Sequence, residues 1–253
     1  MLSRVRMFGI DVDPLSRGEA VARIREWLAD GAQGKYVVTP NLDHVVRLQD
    51  SDEFREAYRN ASMVLVDGKP VLLAARLLGK PVPETVPGSD LTVELLSTSK
   101  DPVRVFLLGA APGVAERAAG RIREQWPAVQ VAGHYSPPFG FERDARETER
   151  ILALIRESAP DLLIVGLGAP KQELWVSRNR QRLAAKVVLC VGASIDFIAG
   201  EKARAPVWMR KACLEWLFRV LQEPKRLAGR YAFDAWRFPG ILVRELRQRG
   251  TAN

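Results

Sequence analysis

An aspartate at the end of an apolar run is the residue best placed to do chemistry in this chain. Asp67 closes Met63-Val64-Leu65-Val66 and precedes Gly68. A carboxylate at such a strand end projects into a crevice, partly shielded from water, where it can serve as a general base. Four other apolar runs are followed by loops of similar character: Thr39-Pro40-Asn41-Leu42-Asp43-His44, Gly109-Ala110-Ala111-Pro112-Gly113, Gly166-Leu167-Gly168-Ala169-Pro170-Lys171-Gln172-Glu173 and Gly192-Ala193-Ser194-Ile195-Asp196. Glycine lets the backbone approach a ligand closely, and the exposed amides of a following helix attract a phosphate or diphosphate. Gly109, Gly166, Gly168 and Gly192 are therefore candidates for a nucleotide loop.

Other chemistries fit less well. Gly166-Leu167-Gly168 begins a dinucleotide fingerprint, but Pro170-Lys171 stands where its third glycine belongs, and no acidic residue ends a strand about 20 residues on. No Gly-Lys-Ser/Thr follows a glycine-rich turn, so P-loop chemistry is disfavoured. Asp11-Val12-Asp13 has the form by which many sugar transferases hold a metal, yet Asp13-Pro14 with Ser16 ahead of Glu19 reads better as a turn and helix cap. His44 and His134 lack a matching ligand set, and the stretch 133–141 reads as a loop over the cleft. No serine or cysteine occupies a nucleophile elbow with a histidine partner. Cys190 and Cys213 have no metal-ligand spacing and read as buried thiols.

The elements that must position these loops alternate. Runs at 36–38, 63–66, 103–108, 162–165 and 187–191 are rich in Val, Ile and Leu and, apart from Arg104, apolar throughout, as strands buried on both faces are. Between them, 19–29, 70–78, 90–96, 114–126, 144–158 and 172–183 carry helical periodicity. This predicts an α/β protein with a mostly parallel sheet and helices on both faces, in two Rossmann-like lobes divided near the Gly/Pro-rich stretch 79–88, plus a C-terminal helical appendage. In such sheets ligands bind beyond the carboxyl ends of the strands.

Charge divides the 253 residues unevenly. Residues 1–200 hold 26 basic and 25 acidic side chains, whereas 201–253 hold 12 basic and 5 acidic, together with 7 of the 19 aromatics. The chain thus divides into an α/β core, 1–200, and a basic, aromatic-rich helical tail, 201–253, in which 206–223 reads as one helix stopped by Pro224. Basic residues interleaved with Trp and Tyr suit an anionic membrane surface. Nucleic acid is disfavoured, because the core carries no basic stripe. The same groups would also suit a homo-oligomer. Nothing resembles a signal peptide or a spanning helix, so a cytoplasmic location is expected.

Taken together, the motifs resemble the WecG/TagA/CpsF family of bacterial glycosyltransferases. The resemblance rests on Thr39-Pro40-Asn41-Leu42-Asp43, Val66-Asp67-Gly68, Pro87-Gly88-Ser89-Asp90-Leu91, Phe106-Leu107-Leu108-Gly109, Ser136-Pro137-Pro138-Phe139 and Gly166-Leu167-Gly168-Ala169-Pro170-Lys171-Gln172-Glu173-Leu174-Trp175. It continues through Arg204-Ala205-Pro206-Val207-Trp208-Met209, Leu214-Glu215-Trp216 and Gln222-Glu223-Pro224-Lys225-Arg226. It implies inverting transfer of a hexose (N-acetylmannosamine, its uronic acid or a glucose-type sugar) from a UDP-sugar to a polyprenyl-diphosphate-linked saccharide. The setting would be the cytoplasmic face of the inner membrane, during surface-polysaccharide or teichoic-acid synthesis, with no metal required. The resemblance makes Asp67 the base and assigns Thr39, Asn41 and Gln172 to substrate. It also has the tail support membrane attachment and supply Arg219 and Arg226 to the site. Gly229 stands where a third arginine belongs, with Arg230 adjacent, and Thr85 stands where the family more often has arginine.

Two rival functions remain at the sequence level. One is a nicotinamide-dependent nucleotide-sugar oxidoreductase or epimerase, supported only by the partial Gly-x-Gly. The other is a non-catalytic UDP-sugar-binding protein.

Overall fold

The computed structural model describes residues 3–206, 208, 209 and 214–250. Cys213 and much of the segment expected to begin the 206–223 helix lie outside them. The order of elements is β1 (Val5–Met7), β2 (Ile10–Val12), α1 (Arg17–Ala29), β3 (Lys35–Val38), α2 (Leu42–Asp50), α3 (Asp52–Arg59), β4 (Met63–Val64), α4 (Lys69–Leu77), α5 (Gly88–Ser97), β5 (Val103–Gly109), α6 (Val114–Gln125), β6 (Val129–Tyr135), α7 (Ala145–Ser158), β7 (Leu162–Gly166), α8 (Lys171–Asn179), β8 (Val187–Cys190), α9 (Ser194–Ala199), α10 (Glu215–Gln222) and α11 (Pro224–Gly250). A short 3-10 turn, Phe141–Arg143, precedes α7.

Alternation of strand and helix produces the parallel sheet with helices on both faces that the pattern predicts. Its six strands run β4-β3-β8-β7-β5-β6, every pairing parallel. The two expected lobes are one sheet instead: β3 and β4, from before the 79–88 stretch, join β7 through β8. Because strand side chains alternate in direction, neighbouring residues feed opposite cores. Tyr36, Val38, Phe106, Leu163, Val165 and Val188 enter one, while Val37, Leu107, Leu162, Ile164, Val187 and Leu189 enter the other. The first core is closed by α2, α3, α4, α7 and α8, the second by α1, α5, α6 and α9.

Local chemistry accounts for the boundaries. Ser16 and Glu19 form a reciprocal capping box that starts α1, with the Ser16 backbone N–H donating to Glu19 Oε2 at 2.7 Å. Asp13 belongs to this framework: its Oδ1 pairs with Arg4 at 3.0 Å and its Oδ2 accepts from the Val64 N–H at 2.8 Å, while Asp11 pairs with Arg6. β4 is assigned only two residues, but its pairing runs on, since the Leu65 N–H donates to Val38 O at 3.0 Å and the Asp67 N–H to Pro40 O at 2.9 Å. The backbone of Asp67 is thereby anchored to the loop after β3.

The stretch 133–141 departs from expectation. Gly133, His134 and Tyr135 continue β6 at the sheet edge, and beyond them the Phe139 ring meets Lys171 at 4.5 Å. Gly109 also departs, serving the packing of β5 on β7: a Cβ there would meet Gly166 O at 2.5 Å, and φ is +120°. Gly109→Ala should therefore destabilise the fold by about 1–3 kcal/mol, the usual penalty for overpacking, read as a lower midpoint in urea. An unchanged midpoint would contradict this packing role.

The C-terminal helices lie against the core. Ile241 and Leu227 are buried, α11 packs on α2, and the Phe8 N–H donates to Glu245 Oε1 at 2.9 Å. The outward side is apolar in places. Seven of the ten large hydrophobics exposed among the described residues belong to the tail, with Trp236 77% and Trp208 64% exposed, so the apolar surface concentrates with the basic charge. No helix among the described residues is long and apolar enough to cross a membrane.

Candidate active site

At the carboxyl ends of β3, β4, β7 and β8 lies a polar cleft of about 280 Å³. Thr39 and Asn41 enter it from the loop after β3, Asp67 from the end of β4, Gly166, Gly168 and Gln172 from the β7–α8 turn, and Gly192 and Asp196 from the β8–α9 turn. Arg219 of α10 and Arg226 and Arg230 of α11 close it from the tail. The structure therefore gathers the sequence candidates into one site except Gly109, which is absent from its lining. Arg230 reaches the cleft although Gly229 occupies the place where the resemblance leads one to expect an arginine.

Each side chain has a local reason for its position. Asn41 caps α2, its Oδ1 accepting from the His44 N–H at 3.3 Å. Gln172 is almost fully buried and spans two loops: its Oε1 accepts from the Gly192 N–H at 3.1 Å, and its Nε2 donates to Glu173 Oε1 at 2.7 Å. It thus ties the β8 turn to the start of α8. Arg219 donates to Glu215 Oε1 at 2.8 Å and lies 5.7 Å from the Phe197 ring centre, which holds its guanidinium in place. Arg226 is held by Glu223, which also pairs with Lys202 at 3.0 Å.

The electrostatics of Asp67 suit a base. Burial raises its pKa to about 7; the cations Arg219 and Arg204 oppose that rise, and the anions Glu215 and Asp90 reinforce it. At neutral pH the carboxyl is poised between holding and releasing a proton. Arg219 stays charged, favoured by Glu215 and Asp67 against the cost of burial.

Residues that motif reasoning set aside also belong here. His44 lines the cleft, its Nδ1 hydrogen-bonded to the Tyr58 hydroxyl at 2.5 Å, and burial lowers its pKa to about 4, so the ring is neutral. The nearby Phe54 and Tyr58 rings pack edge-on against it. Its signal was present, three residues after a capping asparagine, but no ligand spacing marked it. Asp196 and Lys202 also line the cleft, and burial raises the pKa of Asp196.

Glu173 is fully buried behind the cleft, with Oε2 lacking a hydrogen-bond partner among the described residues. Burial lifts its pKa from 4.5 to about 7. Between those values the folded chain binds more protons than the unfolded one, so this group makes the protein less stable as pH rises. Glu173→Gln should accordingly raise Tm at pH 8, with a smaller gain at pH 5. A variant less stable than the parent at pH 8 would contradict the buried-charge account.

A parallel α/β sheet whose cleft sets a buried carboxyl among arginines has the groups that transfer away from an anionic leaving group requires. Comparison with known proteins places the chain in a class that performs such transfer. Residues 5–252 match the glycosyl transferase WecG/TagA/CpsF family, and the chain belongs to that family; it is a glycosyltransferase. Among its relatives is a protein of Staphylococcus aureus (strain MRSA252), 31% identical over 227 residues that cover 89% of this chain and 87% of the relative. A counterpart from Staphylococcus aureus (strain MW2) is 30% identical over the same shares. Both carry the name N-acetylglucosaminyldiphosphoundecaprenol N-acetyl-beta-D-mannosaminyltransferase.

Proposed function

We propose that this enzyme transfers a hexose, N-acetylmannosamine first among the candidates, from a UDP-sugar to a polyprenyl-diphosphate-linked saccharide, inverting the anomeric centre without a metal. The observation that carries the proposal is Asp67, a carboxyl with a pKa near 7 in a cleft closed by Arg219, Arg226 and Arg230. The relatives' names supply the sugar and the lipid acceptor.

In the proposed step Asp67 takes the proton of an acceptor hydroxyl as its oxygen bonds to the anomeric carbon. The bond from that carbon to the UDP oxygen breaks, and the electron pair leaves with the diphosphate. Arginine suits the leaving group because its planar fork donates two parallel hydrogen bonds and keeps its charge. The helix N-terminus of α8, at the cleft beside Gly168, favours negative charge in the same place. Thr39 and Asn41 orient the sugars, while Gln172 acts through the two loops it joins. The basic tail with its exposed tryptophans holds the enzyme to the anionic cytoplasmic face of the inner membrane, where a lipid-linked acceptor resides.

The test is transfer from a panel of radiolabelled UDP-sugars (N-acetylmannosamine, N-acetylmannosaminuronic acid, glucose, glucuronic acid) to short-chain polyprenyl-diphosphate N-acetylglucosamine and glucose. The reactions are run in anionic vesicles with and without EDTA. Transfer from one donor, undiminished by EDTA, is the expected result. Loss of transfer with EDTA, restored by a divalent metal, would overturn the metal-free mechanism. Hydride exchange with a nicotinamide cofactor in place of sugar transfer would overturn the whole assignment.

A further inference from the structure

Next to the polar cleft lies a second cavity of about 310 Å³ that the transfer step leaves unused. Its apolar walls come from four elements: Val46 of α2, Phe54 of α3, Pro170 and Leu174 at the start of α8, and Phe233 of α11. Two lining residues, Asp43 and Arg230, also line the catalytic cleft, so the two spaces meet at these side chains. At the far side Arg237 pairs with Asp50 at 2.9 Å and covers the Phe233 ring at 5.6 Å. Phe233 is 48% exposed, and its ring centre lies 6.4 Å from that of the still more exposed Trp236. The cavity therefore carries charge where it meets the cleft, at Asp43 and Arg230, and again at Asp50 beside Arg237. The apolar side chains of Val46, Phe54, Leu174 and Phe233 make up the rest of the wall together with Arg47, Ser51 and Asp234.

The polar groups at the junction are incompletely used. Arg230 Nε is buried and lacks a hydrogen-bond partner among the described residues, and so does Asp234 Oδ2. Asp43 is engaged by Arg47 at 2.9 Å. An unused buried donor costs stability unless a ligand takes it up, and Arg230 is the cation through which both spaces pass.

We infer that this cavity receives the first isoprene units of the lipid acceptor, with the acceptor's diphosphate at Arg230 and its saccharide in the cleft beside Asp67. The apolar side chains of Val46, Phe54, Leu174 and Phe233, in a cavity that reaches the unpartnered Arg230 Nε, match a molecule whose hydrocarbon chain ends in a diphosphate. The exposed Phe233 and Trp236 rings let the chain continue into a bilayer, since aromatic rings favour the headgroup level. This inference rests on the proposed lipid-linked acceptor and adds where the lipid lies.

Two measurements on the full chain test it. First, a benzophenone-bearing geranyl diphosphate is photolysed with the protein, and the labelled peptides are mapped by mass spectrometry. Saturable labelling of the peptides carrying Val46, Leu174 and Phe233, competed by geranylgeranyl diphosphate but not by sodium diphosphate, is expected. Labelling that does not saturate, or that falls outside these peptides, overturns the inference. Second, kcat/KM is compared for farnesyl-diphospho- and methyl-diphospho-N-acetylglucosamine. Phe233→Glu, at a half-exposed position that folding tolerates, and Leu174→Glu should reduce the preference for the farnesyl acceptor tenfold or more. An unchanged preference in a folded Phe233→Glu variant overturns the inference. Saturable labelling with no transfer to either acceptor would instead sink the proposed N-acetylglucosamine acceptor and leave the isoprenyl-diphosphate site standing.

Discussion

Asp67→Asn should lower kcat by ~10² to 10⁴, the usual contribution of a positioned general base, while leaving UDP-sugar affinity nearly unchanged. The amide keeps the size of the carboxyl and the backbone bond to Pro40, so the loss reports proton transfer rather than a collapsed cleft. The parent enzyme's kcat/KM should rise with pH and level off above about 7, as the carboxyl ionises, and the variant should lose that limb. The substitution should also make the protein more stable at pH 8. Burial raises the folded pKa of Asp67 above its ordinary value, so ionisation at alkaline pH favours the unfolded chain, and asparagine removes that effect. Lower activity with higher Tm is a combination that a merely structural aspartate would not produce. Equal turnover in the two proteins would remove Asp67 from the mechanism.

Arg219→Ala is expected to cost ~10² to 10³ in kcat, the range found when one preorganised donor to a developing negative charge is deleted. Arg219 is set between Glu215 and the face of Phe197, so its guanidinium is oriented before substrate arrives. Arg219→Lys should recover only part of the rate, because an ammonium keeps the charge but not the two-pronged geometry. Folding should survive, since Glu215 is partly solvated and tolerates the loss of its partner. Full recovery by lysine would mean that charge alone suffices. A normal rate in the alanine variant would remove this arginine from leaving-group stabilisation.

How far the chain could be read without coordinates depended on periodicity. Five strands were legible because burial on both faces writes a run dominated by Val, Ile and Leu, broken in β5 only by Arg104 near its start. β6 was not, since Gln130, Gly133 and His134 interrupt it at the sheet edge, where one side is solvated. β1 and β2 are three residues each, too short for any period to show. The helices at 42–50 and 52–59 were hidden by polar loop motifs: Asn41 and Ser51 are caps, and their types suit turns equally well. Asp67 was legible from its place after an apolar run, and the arginines of the tail only from family likeness. That one sheet replaces two lobes follows from β3 pairing with β8, a contact about 150 residues apart that no local pattern encodes. The apolar cavity beside Arg230 was equally invisible, because its walls come from four helices.

The position of β8 also governs when the protein can fold. Among the described residues β8 is the last strand in sequence yet lies between β3 and β7, so within the sheet it joins the β3–β4 pair to the β5–β6–β7 group. During synthesis the nascent chain must carry β3 with an unpaired edge until Val187–Cys190 has emerged from the ribosome. The turn after β8 and the arginines of α10 and α11 follow later still. Every part of the cleft supplied by the early strands therefore waits until β8, α10 and α11 have been made, and a product stalled before β8 exposes a sheet edge open to aggregation rather than a partly active enzyme.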